Sequence, residues 1–375
     1  MTRSMLVLAL GAALLGVACD DKKTSSDTAH TDAGATSADK YATADPKLEK
    51  ALQEATDAGA AADNGPPLNG IFDPGAADRR HAKGVPTKVD MVSEGSAPQV
   101  SLAPAADASA DAARASSYGP AALEVAVQMG RRAALPTLDF GLSLGPAKKD
   151  DGGPDWLVAE IKRATTAKDQ VAQLPPGLDK EIASLDGSTI RIRLSPDGRE
   201  SDLQTELAKG SHPELERLVR NAAEALVFAT VPLPPKPVGA GAQWIAETRM
   251  PLAGLDVIAY RAYRVKSIDG DRIHLTLDVK AYAASKDTHL QGLPQGSTLE
   301  QFDAESKGEL DLVRGESLAR KSDMQQEVVM VFSGPGGPQP AQQPGGPPGN
   351  MMTAQVQSQA TLVRGEDLRT ALKQH

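Results

Sequence analysis

Between Arg272 and Tyr282 every second residue is apolar: Ile273, Leu275, Leu277, Val279 and Ala281 alternate with His274, Thr276, Asp278 and Lys280. A helix cannot place residues spaced by two on one side, so this run must be an extended strand with one face in a core and the other in water. Val257 to Ser267 precedes it, separated by Asp269-Gly270, a dipeptide that accepts the positive φ angles of a type I′ turn. The two runs therefore read as a hairpin.

The same alternation recurs along the chain. Leu138, Phe140, Leu142 and Leu144 share one face, and so do Ile190, Ile192 and Leu194, whose strand ends at the turn tripeptide Pro196-Asp197-Gly198. Further strands are predicted over Gln243 to Thr248, Thr298 to Val313, Ala319 to Phe332 and Met352 to Val363. The last two are separated by Ser333 to Asn350, a flexible connection of Gly, Pro and Gln, and form neighbours in an antiparallel meander. The pentapeptide Leu-Val-Arg-Gly-Glu occurs at Leu312 and again at Leu362; it reads as two similar strand ends, without the third copy that a solenoid needs.

Two helices interrupt the pattern. Ser211-His212-Pro213-Glu214 has the form of a capping box with Pro in the first turn, and Leu215, Leu218, Val219, Ala222, Leu226 and Phe228 then trace one apolar stripe that should lie against a sheet. A weaker helix covers Leu178 to Leu185. Aromatic residues make up only 3 % of the chain, so the core must rest on Leu, Val, Ile and Ala. The expected fold class is mainly β (α+β): a strongly twisted antiparallel sheet or half-barrel with one or two packed helices, after a disordered N-terminal tether.

The N-terminus carries its own signal. Arg3 gives a short positive region, Met5 to Val17 are apolar over the length of a signal-peptide core, and Gly16, Val17 and Ala18 are compact residues ahead of Cys19. This arrangement resembles the lipobox of bacterial lipoproteins, although the Leu usual three residues before the Cys is here Gly16, with Leu15 one step earlier. The resemblance implies cleavage between Ala18 and Cys19 and lipidation of Cys19, the only cysteine in the chain. Each buried methylene of an acyl chain contributes about 0.8 kcal/mol, so several chains anchor a protein durably. Asp20 resembles the inner-membrane retention signal of enteric lipoproteins, a rule that does not extend to all bacteria, so the choice of membrane stays open.

The expected organisation is a signal peptide over 1–18, a disordered tether over 19–65, an irregular lead-in and linker over 66–120, and an antiparallel β-rich domain over 121–368 with a flexible loop at 333–351. Residues 20–65 are mostly Asp, Ala, Thr, Ser, Lys and Gly, with little to bury, although Asp45 to Ala58 has helical spacing. In the lead-in, Val89, Met91 and Val92 read as a short irregular strand; the Ala, Ser and Asp run from Ala103 to Ser117 reads as loop.

Pro232 to Trp244, a Gly-rich turn (Val238-Gly239-Ala240-Gly241-Ala242) before a Trp-bearing strand, precedes the Asp269-Gly270 hairpin and a later Gly308-Glu309-Leu310-Asp311 strand. This succession resembles an uncharacterised family of bacterial secreted lipoproteins, over roughly Ala121 to Leu368. The resemblance implies a cell-envelope location and an antiparallel β-rich fold, and carries no catalytic residue.

The formal charge of -9 becomes -10 when Arg3 leaves with the signal peptide, which argues against a nucleic-acid partner. No His-x-x-x-His, Cys-x-x-Cys, Walker-type or Gly-x-Ser-x-Gly motif occurs, and the Gly-rich runs at Gly334 and Gly345 lack the context of a phosphate loop. His30, His81, His212, His274, His289 and His375 are all expected at the surface; Asp150-Asp151 and Asp269-Gly270-Asp271 read as acidic turns without EF-hand spacing. No catalytic residue, metal ligand or cofactor is assigned. The expectation is a non-enzymatic, membrane-anchored envelope lipoprotein with a protein-interaction or structural role. The alternatives are a carrier of lipid or another apolar ligand, because a curved sheet with a helix across it can leave an apolar concave face, and a hydrolase whose site leaves no local motif.

Overall fold

The computed structural model describes residues 50, 69–102, 119–129, 133–146, 156–167, 176–287, 290, 293–335, 350–365 and 367–368. Ala18, Cys19, the signal peptide and most of the tether lie outside them, as do the Ala103 to Ser117 run, Asp150-Asp151, residues 336–349 of the long connection, His30, His289 and His375.

The described strands are β1 (Lys88–Ser93), β2 (Gly119–Met129), β3 (Ala133–Ala134), β4 (Leu138–Pro146), β5 (Trp156–Thr166), β6 (Thr189–Leu194), β7 (Glu200–Glu206), β8 (Gln243–Leu252), β9 (Leu255–Asp269), β10 (Arg272–Ala283), β11 (Thr298–Val313), β12 (Lys321–Ser333) and β13 (Met351–Arg364). They form one antiparallel sheet in the order β1-β8-β9-β10-β11-β12-β13-β2-β4-β5-β6-β7, with β3 alongside β2. Two meanders, β8 to β13 and β4 to β7, are thus joined through β2. The lead-in is less irregular than its sequence indicates, since β1 extends the same sheet by pairing Lys88 with Glu247 and Met91 with Trp244.

The sheet is open but its edges meet at one corner. The N–H of Thr87, just ahead of β1, donates to the carbonyl of Glu200, the first residue of β7, at 2.9 Å. Strand twist of fixed hand, accumulated over so many strands, brings the ends of the sheet toward each other.

Inside the curl lies α3 (Glu216–Ala229), preceded by a 3₁₀ turn at Pro213–Leu215. Its expected apolar stripe is buried: Leu215, Leu218, Val219, Ala222, Leu226 and Phe228 are at most 7 % exposed. The cap differs from the expected one. His212 is the N-cap, its Nδ1 accepting from the Glu214 N–H at 3.3 Å, while Ser211 donates to the carbonyl of Ser184 instead. A smaller helix, α2 (Leu178–Ala183), buries Leu178 and Ile182 beside β5.

The convex face has a covering of its own. Phe72 with Ala76 and Ala77 of α1 (Ala76–Arg80) packs on Ile245, Ile258, Tyr260 and Tyr282. This packing also overturns the surface placement of His81, which is 1 % exposed and set between the Val85 carbonyl at 3.1 Å and Glu247 at 3.3 Å. Glu247 gathers Arg80 at 2.7 Å and Lys88 at 3.0 Å as well, so its buried charge is compensated by cations from the lead-in.

The β9–β10 hairpin is real, but its turn is not of the expected type. Asp269 pairs with Arg272, so the central residues are Gly270 and Asp271, and only Gly270 has positive φ. That is the type II′ pattern, with Gly at the first central position. Both Leu-Val-Arg-Gly-Glu segments end strands, β11 and β13, at glycines of positive φ, Gly315 and Gly365. Buried Arg364 of the second reaches Glu316 of the first.

Candidate functional site

One face of α3 is polar and runs from exposed Arg220 at its outer side to buried Glu224. Glu216, Arg217, Arg220, Asn221 and Glu224 recur at helical spacing with Pro213 ahead of them, and this stripe faces the concave sides of β2, β12 and β13. Those strands present Val127, Met330, Phe332, Ala354 and Val356, all apolar. The polar wall and the apolar wall do not close on each other: between them is a cavity of about 250 Å³, bounded at its rim by Leu135, Leu290, Leu293 and the β8–β9 turn. A smaller space of about 40 Å³ continues it deeper along β13, toward Ser358 and Ala360, and shares Val127, Asn221, Glu224, Ala253 and Val356 with it.

Glu224 stands where the two spaces join. It is 7 % exposed, and its carboxylate accepts the N–H of Ala253 at 3.3 Å. Burial pushes its pKa up to about 7, against lowering by the N–H groups of Ala253 and Gly254 and by Arg220. The donors come from a tight turn in which Leu252 pairs with Leu255, so that Ala253 (φ 50) and Gly254 (φ 82) both take positive φ, as a type I′ turn requires. Ala253 is the one non-Gly residue of positive φ among those described. An L-residue there costs on the order of 1 kcal/mol, and the strained turn directs its amides at Glu224.

At the mouth the charges are unequal in their partners. Arg220 is paired with Glu216 at 2.7 Å. Arg217, half-buried, has neither ion pair nor hydrogen bond among the described residues. The strand side of the groove is only partly covered, since the inward residues of β13 from Ala354 to Ala360 are half-buried rather than buried.

A second polar cluster, at the far end of α3, is fully packed. Arg261 of β9 is 0 % exposed and grips Glu200 through two contacts at 2.8 and 2.7 Å, while its guanidinium also donates to the carbonyls of Val227 at 3.2 Å and Thr230 at 3.4 Å. Thr230 and Thr87 hydrogen-bond the same carboxylate. This arrangement caps the helix C-terminus with a cation and ties the two sheet edges together. It leaves no room for a substrate, so its role is structural.

Neither protein-family models nor curated proteins match the chain. The Pro232 to Trp244 run, which carried the family resemblance, is a packing element: Trp244 donates to the Pro232 carbonyl at 2.9 Å and stacks on Tyr263 at 5.2 Å, and a Cβ on Gly239 would lie 1.6 Å from the Ser96 carbonyl oxygen.

The hydrolase alternative needs a nucleophile beside a histidine. His274 has Asp311 on Nδ1 at 2.6 Å, but its Nε2 faces Asp269 at 3.6 Å instead of a hydroxyl. Both ring nitrogens thus face carboxylates on the outer face of the sheet, and neither faces a hydroxyl among the described residues. Asp271 is paired with Arg314, and among the described residues no group of three or more His, Cys, Asp and Glu is placed to hold a metal.

Sequence reasoning found the apolar stripe of α3 and missed the polar one. The signal was present, because Glu224 continues the helical spacing of Arg217, Arg220 and Asn221 into a run, Ala222 to Ala229, that is otherwise entirely apolar.

Proposed function

We propose that this protein is a non-enzymatic lipoprotein of the bacterial cell envelope, anchored through lipid on Cys19, whose folded part binds a small apolar ligand in the groove between α3 and the β2–β13–β12 wall. The observation that carries the reading is the unfilled gap between a polar helix face and an apolar strand face. A core with only a structural duty would gain by closing it, because each buried methylene contributes about 0.8 kcal/mol. Leaving Val127, Ala354 and Val356 half-covered forgoes that gain, and an apolar guest restores it. The groove thus favours ligand carriage over the purely structural or protein-docking role expected first from the sequence.

Lipids co-purifying with the protein from bacterial membranes provide the test. Mass spectrometry of the wild type is expected to find acylated Cys19 and about one further, non-covalent lipid per chain. Val356→Trp, which puts an indole into the cavity, is expected to keep the acylated Cys19 and lose the second lipid, at a stability cost of about 1–3 kcal/mol from overpacking. Wild-type protein without a second lipid would remove the carrier reading, and an unmodified Cys19 would remove the anchor.

A further inference from the structure

We propose that the ligand is a single-chain amphiphile with a carboxylate head, a fatty acid in chemical class, with its head at Arg217 and its chain along Val127, Met330 and Val356. This rests on the ligand-binding reading above and specifies what is bound.

Arg217 supplies the first argument. It lines the cavity, is half-buried, and makes no ion pair or hydrogen bond at contact distance among the described residues, with Glu214 acting on it only from further off, whereas Arg220 one turn on is paired with Glu216 at 2.7 Å. Burial lowers its pKa from the ordinary value, Glu214 partly restores it and Arg220 lowers it again, so the guanidinium carries a desolvation cost that nearby protein charge does not fully offset. A guanidinium presents a planar fork of donors that matches a carboxylate.

The valence of the head follows from the neighbours. Glu214 and Glu216 balance the two arginines in the free protein, so a carboxylate adds a single negative charge at the mouth, whereas a phosphate dianion would add two beside both glutamates. Size limits the tail. The cavity of about 250 Å³ is smaller than the roughly 300–1,000 Å³ of sites that enclose drug-sized molecules, which suits one chain and not the two chains of a phospholipid. The narrower space beyond Glu224 extends the path in the same direction for the chain end.

The test separates head from tail. The full chain carrying Cys19→Ser, so that no attached lipid competes, is titrated calorimetrically with decanoate, decanol and decyltrimethylammonium below their micellar concentrations. Decanoate is expected to bind roughly tenfold tighter than decanol, about 1.4 kcal/mol, and the cationic amphiphile weakest of the three. Arg217→Gln is expected to bring decanoate to the level of decanol while leaving decanol unchanged, and Arg217→Lys to retain part of the preference. Equal affinities of the wild type for decanoate and decanol would overturn the carboxylate site and leave the groove reading standing, as would a preference that survives in Arg217→Gln. Failure of all three probes to bind would overturn both.

Discussion

Arg261→Met is expected to destabilise the protein by about 3–5 kcal/mol, because it strands the Glu200 carboxylate in the interior without its cation. The same change removes the donor to the Val227 and Thr230 carbonyls and so uncaps the C-terminus of α3. Burial alone would lower the pKa of the guanidinium, yet Glu200 and the surrounding groups raise it, which is the electrostatic signature of an ion pair that depends on both members. The double variant Arg261→Met with Glu200→Leu is therefore expected to lose clearly less than the two single variants added together. Urea unfolding of the four proteins in this cycle gives the coupling directly. Additive losses would mean that the pair is not coupled, and the sheet corner where Thr87 meets Glu200 would then need another explanation.

Glu224→Gln is expected to act in the opposite direction. The folded carboxyl holds its proton up to about pH 7, while the unfolded one releases it near its ordinary value of 4.5. Between those values the folded state binds more protons, so this group makes stability fall as pH rises through the window and leaves it flat above. The full penalty at pH 8 is on the order of 3 kcal/mol, at about 1.4 kcal/mol for each pH unit that separates the two values. Gln keeps an oxygen for the Ala253 N–H without a charge to desolvate. Glu247 and Asp256, whose pKa values fall because the cations around them outweigh their burial, act with the other sign and at lower pH. The difference between wild type and Glu224→Gln therefore isolates the one group: near zero at pH 4, in favour of the variant by pH 8. A difference that does not change with pH would show that Glu224 is not buried in the apolar gap.

Much of the β architecture was legible because it rests on a period of two. β10 and β11 bury alternate residues along nearly their whole length, and so the sequence pattern and the strands coincide. β7 is hard to read because it is an edge strand with Leu203 as its only aliphatic residue, and β2 because its core positions start with Ala121 and its outward positions include Ala122 and Ala126, which blur the alternation. β5 is obscured even though its burial alternates from Leu157 to Ile161, because polar residues then follow one another at Lys162 and Arg163. The type of the β9–β10 turn depended on register, which is fixed by pairing along both strands and not by the dipeptide alone.

The site was far less legible than the fold. Each element of it is ordinary in sequence: a Glu in a helix, an Ala-Gly turn, an Arg near a helix start. Their meaning comes from long-range placement, since Glu224 meets the amides of Ala253 and Gly254 only after the β8–β9 hairpin packs beside the helix, and Val356 comes opposite only after β13 pairs with β2. The His81 and Glu247 pair was hidden in the same way, in two segments 166 residues apart.

The claim on which the rest depends is that the gap beside α3 admits a guest. Methyl-resolved NMR of the full chain carrying Cys19→Ser, titrated with decanol, tests it without assuming any head group. Shifts are expected at the methyls of Val127, Leu290, Leu293, Met330 and Val356, which line the gap, with Leu275 and Val257 in the closed core unmoved. Shifts scattered over surface methyls with none at Val127 and Val356, or no saturable shift at any of them, would contradict it.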